Sequence, residues 1–392
     1  MNVTSVSDFT SVWAALDVPD RSVLAACISS SAAAMLLSII LHSQWAVPNI
    51  YSDIASFWGR SWVAGGQFPN SSPDTFFEYP PISALILYGA RVLGGSYTGY
   101  YLSFSAFSLA AVAILAWSTW RLASRMGVRV NPLFFFFPSF VVYGLYNFDL
   151  FNALFIILSI QFFVEKRRGW SAVFLALAFA TKLVAIVLLP VFLIELVGWK
   201  ERFRFFATGA VVAGVFFLPI VLLNPGYASQ VYNFLSNWGL ENAWYIFLFG
   251  DQYSRTAKLF GLVLMLALFV RIYTLKTSLI QRIFLILTAY LLSTYIYAPQ
   301  FNVMMLPLVA VLAITTPSLY FWEVFNALII LTWFTFPDPT HAWSIPQDFA
   351  LLRAAALGLM GLTIASVSGH SLFSWFKRIF GIEKSSQTQL PS

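Results

Sequence analysis

The sequence predicts an all-α polytopic membrane protein: a bundle of about ten transmembrane helices, with one re-entrant hairpin and an outer loop that carries interfacial helices. Three observations lead there. Hydrophobic residues make up 59% of the 392 residues and charged residues only 10%, where soluble domains carry roughly a quarter charged; the mean hydropathy is +0.78. Apolar runs recur along the chain, from residues 23–41 to residues 350–367. Lysine and arginine gather in short clusters between those runs, as they do in cytoplasmic loops.

The first run, residues 23–41, follows Asp8, Asp17 and Asp20 with a single Arg21, so the basic region of a cleaved signal peptide is missing and the run is expected to stay as a span. The clusters Arg121/Arg125/Arg129, Lys166/Arg167/Arg168, Lys200/Arg202/Arg204, Arg271/Lys276/Arg282 and Lys377/Arg378/Lys384 should all face the cytoplasm. Counting every apolar run as a crossing puts some of them on the wrong side, so two runs are expected not to cross. Residues 82–93 are short, follow Pro80 and Pro81, and end at Arg91 and Gly94-Gly95, which fits an interfacial helix on the outer surface. Residues 170–197 lie between two basic clusters and carry Lys182 near their middle, where a lipid-facing charge is expensive. A re-entrant hairpin turning at Thr181 and Lys182 returns both ends to the cytoplasm. The runs 100–120, 133–146, 150–164, 205–223, 259–273, 283–297, 303–314, 319–336 and 350–367 are read as spans. Residues 1–392 thus form one transmembrane domain, with an outer loop at 42–97, the hairpin at 170–197 and a cytoplasmic tail at 377–392.

Several function classes fall away. The single cysteine, Cys27, excludes a disulfide framework, a thiolate zinc site and a redox pair. Three histidines, His42, His341 and His370, argue against a histidine metal cluster, and neither metal nor cofactor is expected. The net charge of +6 is accounted for by the cytoplasmic clusters, and no nucleic-acid module is present. No internal repeat supports an inverted-repeat transporter.

Acidic groups gather instead in the outer loops: Asp53, Asp74 and Glu78, then Glu241 and Asp251, then Asp338 and Asp348. Asp53 follows the first span and precedes apolar positions at helical spacing, so it either caps a surface helix or serves as a general base at the water–lipid boundary. Glu78 and Tyr79, in Phe76-Phe77-Glu78-Tyr79-Pro80-Pro81, suit a sugar site or an aromatic membrane belt. Asn147 and Asp149 allow a polar cluster facing the loop-one carboxylates, or a tight polar turn. Lys182 is a functional candidate by its depth, or a snorkelling lysine. Tyr297 and Gln300, in Tyr297-Ala298-Pro299-Gln300-Phe301-Asn302, offer a phenol and an amide to hydroxyls or phosphate, or mark a proline turn. Arg255 either meets a lipid phosphate or is solvated. Asn70-Ser71-Ser72 fits a glycosylation sequon. Intramembrane Lys182 also leaves open a transporter or a lipid-linked-sugar flippase.

An early outer-loop aspartate, a Tyr-Pro-Pro loop ending, a lysine in a mid-chain hairpin and a late Ala-Pro-Gln-Phe together resemble the GT-C superfamily of integral-membrane glycosyltransferases. Within it the chain is most similar to the polyprenyl-phosphate-mannose-dependent mannosyltransferases, among them the GPI mannosyltransferase catalytic subunit and the bacterial phosphatidylinositol-mannoside enzymes. The similarity runs from about Ala46 to Ala310. It implies that loop 42–97 is catalytic, that Asp53 is the base, and that Glu78, Asp149 and Lys182 belong to the substrate site. Where many relatives carry a second acidic residue this chain has Ala55, and Ala298 stands in place of a serine before Pro299-Gln300. The implied reaction is inverting transfer of a hexose, mannose by resemblance, from a polyprenyl-phosphate-linked donor to a lipid or glycan acceptor. Lys182 or Arg255 would stabilise the departing phosphate. The expected place is a prokaryotic plasma membrane, with the site facing outside and lipids as neighbours.

Overall fold

A computed structural model describes residues 20–46 and 49–367; Asp8, Asp17 and the cytoplasmic tail expected at 377–392 lie outside the described residues. In chain order the helices are α1 (Asp20–His42), α2 (Asp53–Phe57), α3 (Ser61–Ala64), α4 (Pro81–Gly94), α5 (Tyr97–Arg125) and α6 (Pro138–Tyr143). There follow α7 (Asp149–Val164), α8 (Arg168–Thr181), α9 (Leu189–Glu195), α10 (Trp199–Leu223), α11 (Tyr227–Asn237) and α12 (Ile246–Phe249). The last are α13 (Arg255–Tyr273), α14 (Leu279–Ser293), α15 (Asn302–Val311), α16 (Pro317–Trp333) and α17 (Ile345–Val367). Among the described residues the one β pairing is an isolated bridge between Glu241 and Ile296.

Helices α1, α5, α10, α13 and α17 are long and apolar enough to cross a bilayer, and six shorter apolar helical stretches accompany them. The chain is an integral multi-pass membrane protein. Its centre is α15, every residue of which is buried against α5, α7 and α14. Helices α10 and α13 show the reverse, with Val211, Val215 and Leu222 on one and Leu259, Val263 and Val270 on the other exposed. In water such faces would be association surfaces; here lipid is their solvent.

One expected element differs from the sequence reading. Residues 133–146, read as a span, form a 3₁₀ turn at Pro132–Phe136 followed by the six-residue α6. Pro132 and Pro138 each sit at a helix start, where their missing N–H costs nothing but the preceding helix cannot continue. Residues 82–93, read as a surface helix, belong to α4, which packs along α5 and also touches α8. Small residues permit that approach: a Cβ on Gly99 would lie 2.0 Å from the Gly94 carbonyl oxygen. Gly95, at φ 68°, makes the turn between the two helices. Arg91 fixes one end of α4 by donating to the carbonyls of Val63 and Ala64, and Ser83 fixes the other by donating to the Thr181 carbonyl at 2.8 Å.

The segment from α8 to α9 doubles back on itself. Lys182 is extended (φ −146°, ψ 132°) and interrupts the helix; the chain then returns through Leu183–Leu188 and α9. Phe192 packs on Phe163 and Phe205, and Glu195 pairs with Arg282. The returning arm therefore ends beside the start of α8, and Thr181 and Lys182 form the tip.

Candidate active site

The tip of that double-back meets the first outer loop at a cluster of polar side chains. Ser52 caps α2, its hydroxyl accepting from the Ala55 N–H at 3.2 Å. The capping role open to Asp53 is thus filled by its neighbour, and the Asp53 carboxylate is released for other partners. Tyr51 Oη donates to Oδ1 at 3.1 Å; Tyr79 Oη and Asn147 Nδ2 donate to Oδ2 at 3.0 and 3.3 Å. An ionised carboxylate has about four acceptor positions, so one remains for an incoming hydroxyl. Burial pushes the Asp53 carboxyl above its usual range, opposed by the bonds from Asn147, Tyr79 and Tyr51 and by the charge of Lys182. A base shifted that way is better matched to neutral pH.

Asn147 carries the cluster inward, its Oδ1 accepting from the Asp149 N–H at 3.0 Å. Asp149, at the start of α7, receives Lys182 Nζ on Oδ2 at 2.7 Å, with both side chains buried. The ammonium lies 4.6 Å from the centre of the Phe301 ring and 5.6 Å from that of Tyr79. It spends one of its three donors on Asp149. Asp53, Tyr79, Asn147, Asp149 and Lys182, spread over the sequence, thus form one connected group.

Other expected residues lie elsewhere. Glu78 is engaged by Arg60 through both oxygens at 2.7 Å, and Arg60 stacks over Phe57 at 4.8 Å. That pair braces the loop ending next to Tyr79, with both Glu78 oxygens taken. Arg255 is exposed at the start of α13, and among the described residues no hydrogen bond or ion pair joins it to Asp53 or Lys182. Gln300 is buried beside Phe301, and its amide makes no hydrogen bond among the described residues. Tyr297 points into the bundle, donating to Asn302 Oδ1 and accepting from Trp322 Nε1. Asn70 of the sequon is wholly buried and accepts from the Phe77 N–H, which leaves no room for a glycan.

Three features escaped the sequence reading. Tyr51 stands two residues before Asp53 and donates to it, yet nothing in the sequence singles it out from the other aromatics. Glu241 is fastened by its backbone to Tyr295 and Tyr297 at 2.8 and 2.9 Å, and its Oε2 accepts from Trp238 Nε1 at 2.8 Å. Burial pushes its carboxyl up, and the bond from Trp238 and the charges of Arg353 and Lys182 oppose that. Arg353 of α17, wholly buried, donates to Asn326 Oδ1 at 2.8 Å, to the Tyr297 carbonyl at 2.6 Å and to the Asn242 carbonyl at 3.4 Å. Asn326 in turn donates to Ser139 Oγ, whose hydroxyl and N–H bind Glu323. The signal for Arg353 and Glu323 was available: an ionisable residue inside an apolar run, the same one that singled out Lys182.

Among the described residues no group of three or more His, Cys, Asp or Glu side chains is placed to hold a metal. A sequence model of glycosyltransferase family 87 matches residues 76–311, a stretch that includes Tyr79, Asn147, Asp149, Lys182 and Glu241 and omits Asp53. Among solved structures, ArnT from Cupriavidus metallidurans, crystallised with undecaprenyl phosphate, resembles the chain over 93% of its length and 80% of ArnT's, at 14% identity and a TM-score of 0.46. No curated protein matches the chain.

Proposed function

Because the chain belongs to glycosyltransferase family 87, we propose that the Asp53 cluster transfers a hexose from a polyprenyl-phosphate-linked donor to a lipid or glycan acceptor at the outer face of the membrane. Mannose is the sugar suggested by the resemblance to mannosyltransferases. The observation that carries the reading is a base and a cation in one site: Asp53 with an acceptor position left over, and Lys182 reaching the same space through Tyr79 and Asp149.

In this mechanism Asp53 takes the proton of the acceptor hydroxyl as its oxygen attacks the anomeric carbon. The new bond from oxygen to the anomeric carbon forms on the face opposite the breaking one, so the configuration inverts. The bond from that carbon to the phosphate oxygen breaks, and the electron pair leaves with the polyprenyl phosphate. A phosphate leaves without a strong acid, so one carboxylate suffices. Lys182, with donors beyond the one given to Asp149, offsets the charge that grows on the phosphate. Arg255 has no such connection to the site, and Lys182 takes the role. The double-back at Lys182 then serves as a re-entrant hairpin that raises the cation to the outer face. Family membership assigns sugar transfer, and a transporter reading has no observation of its own.

The test is transfer of radiolabelled mannose from polyprenyl-phosphate-mannose to membrane lipid acceptors, comparing wild type with Asp53→Asn. Loss of a general base should lower the rate by about 10²–10⁴-fold in protein that is expressed and behaves in detergent like wild type. Equal rates would remove Asp53 from the mechanism. Retention of anomeric configuration in the product would overturn the single-displacement scheme.

A further inference from the structure

On the outer side of the cluster, α11, Phe76 of loop one and Trp238 bound an open groove of about 500 Å³, within the usual range of small-ligand clefts. Its walls combine ring faces with side-chain amides. Phe76 and Phe234 have ring centres 6.1 Å apart, and Phe234 and Trp238 4.9 Å. Gln230, Asn233, Phe234 and Asn237 recur at the spacing of one helix face, which is why they line the groove together. Gln230 is occupied: it accepts from Asn224 at 2.9 Å and donates to the Pro73 carbonyl at 3.4 Å, tying α11 down on loop one. Asn233 and Asn237 are exposed, and their amides make no hydrogen bond among the described residues.

Rings interleaved with unengaged amides are the chemistry a pyranose asks for. Its C–H face lies on an aromatic ring, and its hydroxyls pair with groups that both donate and accept. None of the residues lining the groove is charged, and Lys258 beside it spends two of its donors on the Ser236 and Trp238 carbonyls, whereas neutral hydroxyls find partners in the free amides. The groove is also continuous with the site. Trp238 lines it with its ring and gives its indole N–H to Glu241, 2.8 Å away. Phe76 stands three residues before Tyr79, whose carbonyl accepts from Tyr227 Oη of α11 at 3.4 Å.

We propose that this groove holds the non-reacting sugar residues of a glycan-bearing acceptor and thereby aims the terminal hydroxyl at Asp53. The proposal rests on the sugar-transfer reading and specifies the acceptor: a chain of more than one sugar residue, not a bare lipid alcohol. Glu241, tied to the groove by the Trp238 indole, keeps its other oxygen for a sugar hydroxyl.

The test measures binding without any donor. Saturation-transfer NMR is run on the full chain in lipid nanodiscs with soluble manno-, gluco- and galacto-trisaccharides. Wild type should saturate the ring protons of at least one of them. Trp238→Ala, and separately the pair Asn233→Leu and Asn237→Leu, should weaken that binding by about tenfold or more. Two groove variants with different lesions guard against one that misfolds. In the transfer assay the pair should raise KM for a glycosylated acceptor by a similar factor. No saturation in wild type, or undiminished binding in both groove variants, overturns the proposal; so does altered phospholipid retention with saccharide binding unchanged, which would make the groove a lipid seat. If wild type binds a trisaccharide but transfers no sugar from any polyprenyl-phosphate donor, the transfer reading fails and the saccharide groove stands.

Discussion

Replacing Lys182 by methionine keeps the length of the side chain and removes its charge, leaving Asp149 buried beside an apolar tip. At 2.7 Å and an effective dielectric constant of about 20, the two charges attract by roughly 6 kcal/mol. Removing two ions from water costs several kcal/mol each, so the intact pair contributes little net stability. Breaking it is another matter, since the carboxylate stays buried without its cation: Lys182→Met should cost about 3–5 kcal/mol. The double variant Lys182→Met/Asp149→Leu removes the stranded charge and should regain most of that loss. It also sacrifices nothing through Asp149 Oδ1, which has no partner, and leaves the bond from the Asp149 N–H to Asn147 in place. Equilibrium unfolding in mixed micelles reads the stabilities, and mannose transfer reads the function. The expected outcome is a weak, inactive single variant and a stable, inactive double variant. A single variant as stable as wild type would show that the pair is not closed in the membrane. An active double variant would show that Lys182 does not serve the leaving phosphate.

Three further outcomes follow from other contacts. Because burial raises the Asp53 carboxyl and the base must be ionised, kcat/KM should fall, as pH is lowered, at a higher pH than for an ordinary aspartate. Tyr79→Phe and Asn147→Ala each remove a bond that favours the ionised form, and should move that acid limb higher still in a pH–rate profile. The same shift means that Asp53 favours folding below its unfolded pKa and loses that contribution as pH rises through its folded value. At neutral pH Asp53→Asn should therefore melt no lower than wild type in detergent. Gly99→Ala places a Cβ 2.0 Å from the Gly94 carbonyl oxygen and should destabilise by about 3 kcal/mol or more; an unchanged melting temperature would show that α4 and α5 do not touch there. Arg353→Met strands the Asn326 Oδ1 and the Tyr297 carbonyl, at about 1–3 kcal/mol each. Hydrogen exchange at 241–243 and 295–297 should quicken, and Arg353→Lys should restore only part of the protection, since an ammonium lacks the fork that reaches both acceptors.

The membrane class was legible because hydropathy is a sum over many residues. Lys182 was legible for a different reason: it is one cation in a long apolar run, and burial of such a charge demands a partner. What the pattern could not name was that partner, because Asp149 stands 33 residues earlier and Asn147 reaches Asp53 across 94. Glu78 illustrates the reverse case. Its setting among aromatics suggested a sugar site, and both its carboxylate oxygens are taken by Arg60, 18 residues away, which also lies over Phe77. The span read at 133–146 failed because hydropathy averages over Pro138, whereas a helix does not. Arg353 was hidden by the same averaging, one charge diluted by the alanines and leucines around it.

Arg353 also has a place in time. A membrane chain is made from its N-terminus onward, so Tyr51, Asp53, Asn147, Lys182, Glu241 and Tyr297 have all left the ribosome before α17 is translated. Until α17 docks, nothing holds the Asn242 and Tyr297 carbonyls in the fork they share, and the segment that carries Glu241 is held to residues 295–297 by its backbone bonds alone. Each newly inserted molecule thus has all the side chains of the proposed site before it has the helix that clamps residues 242 and 297 together.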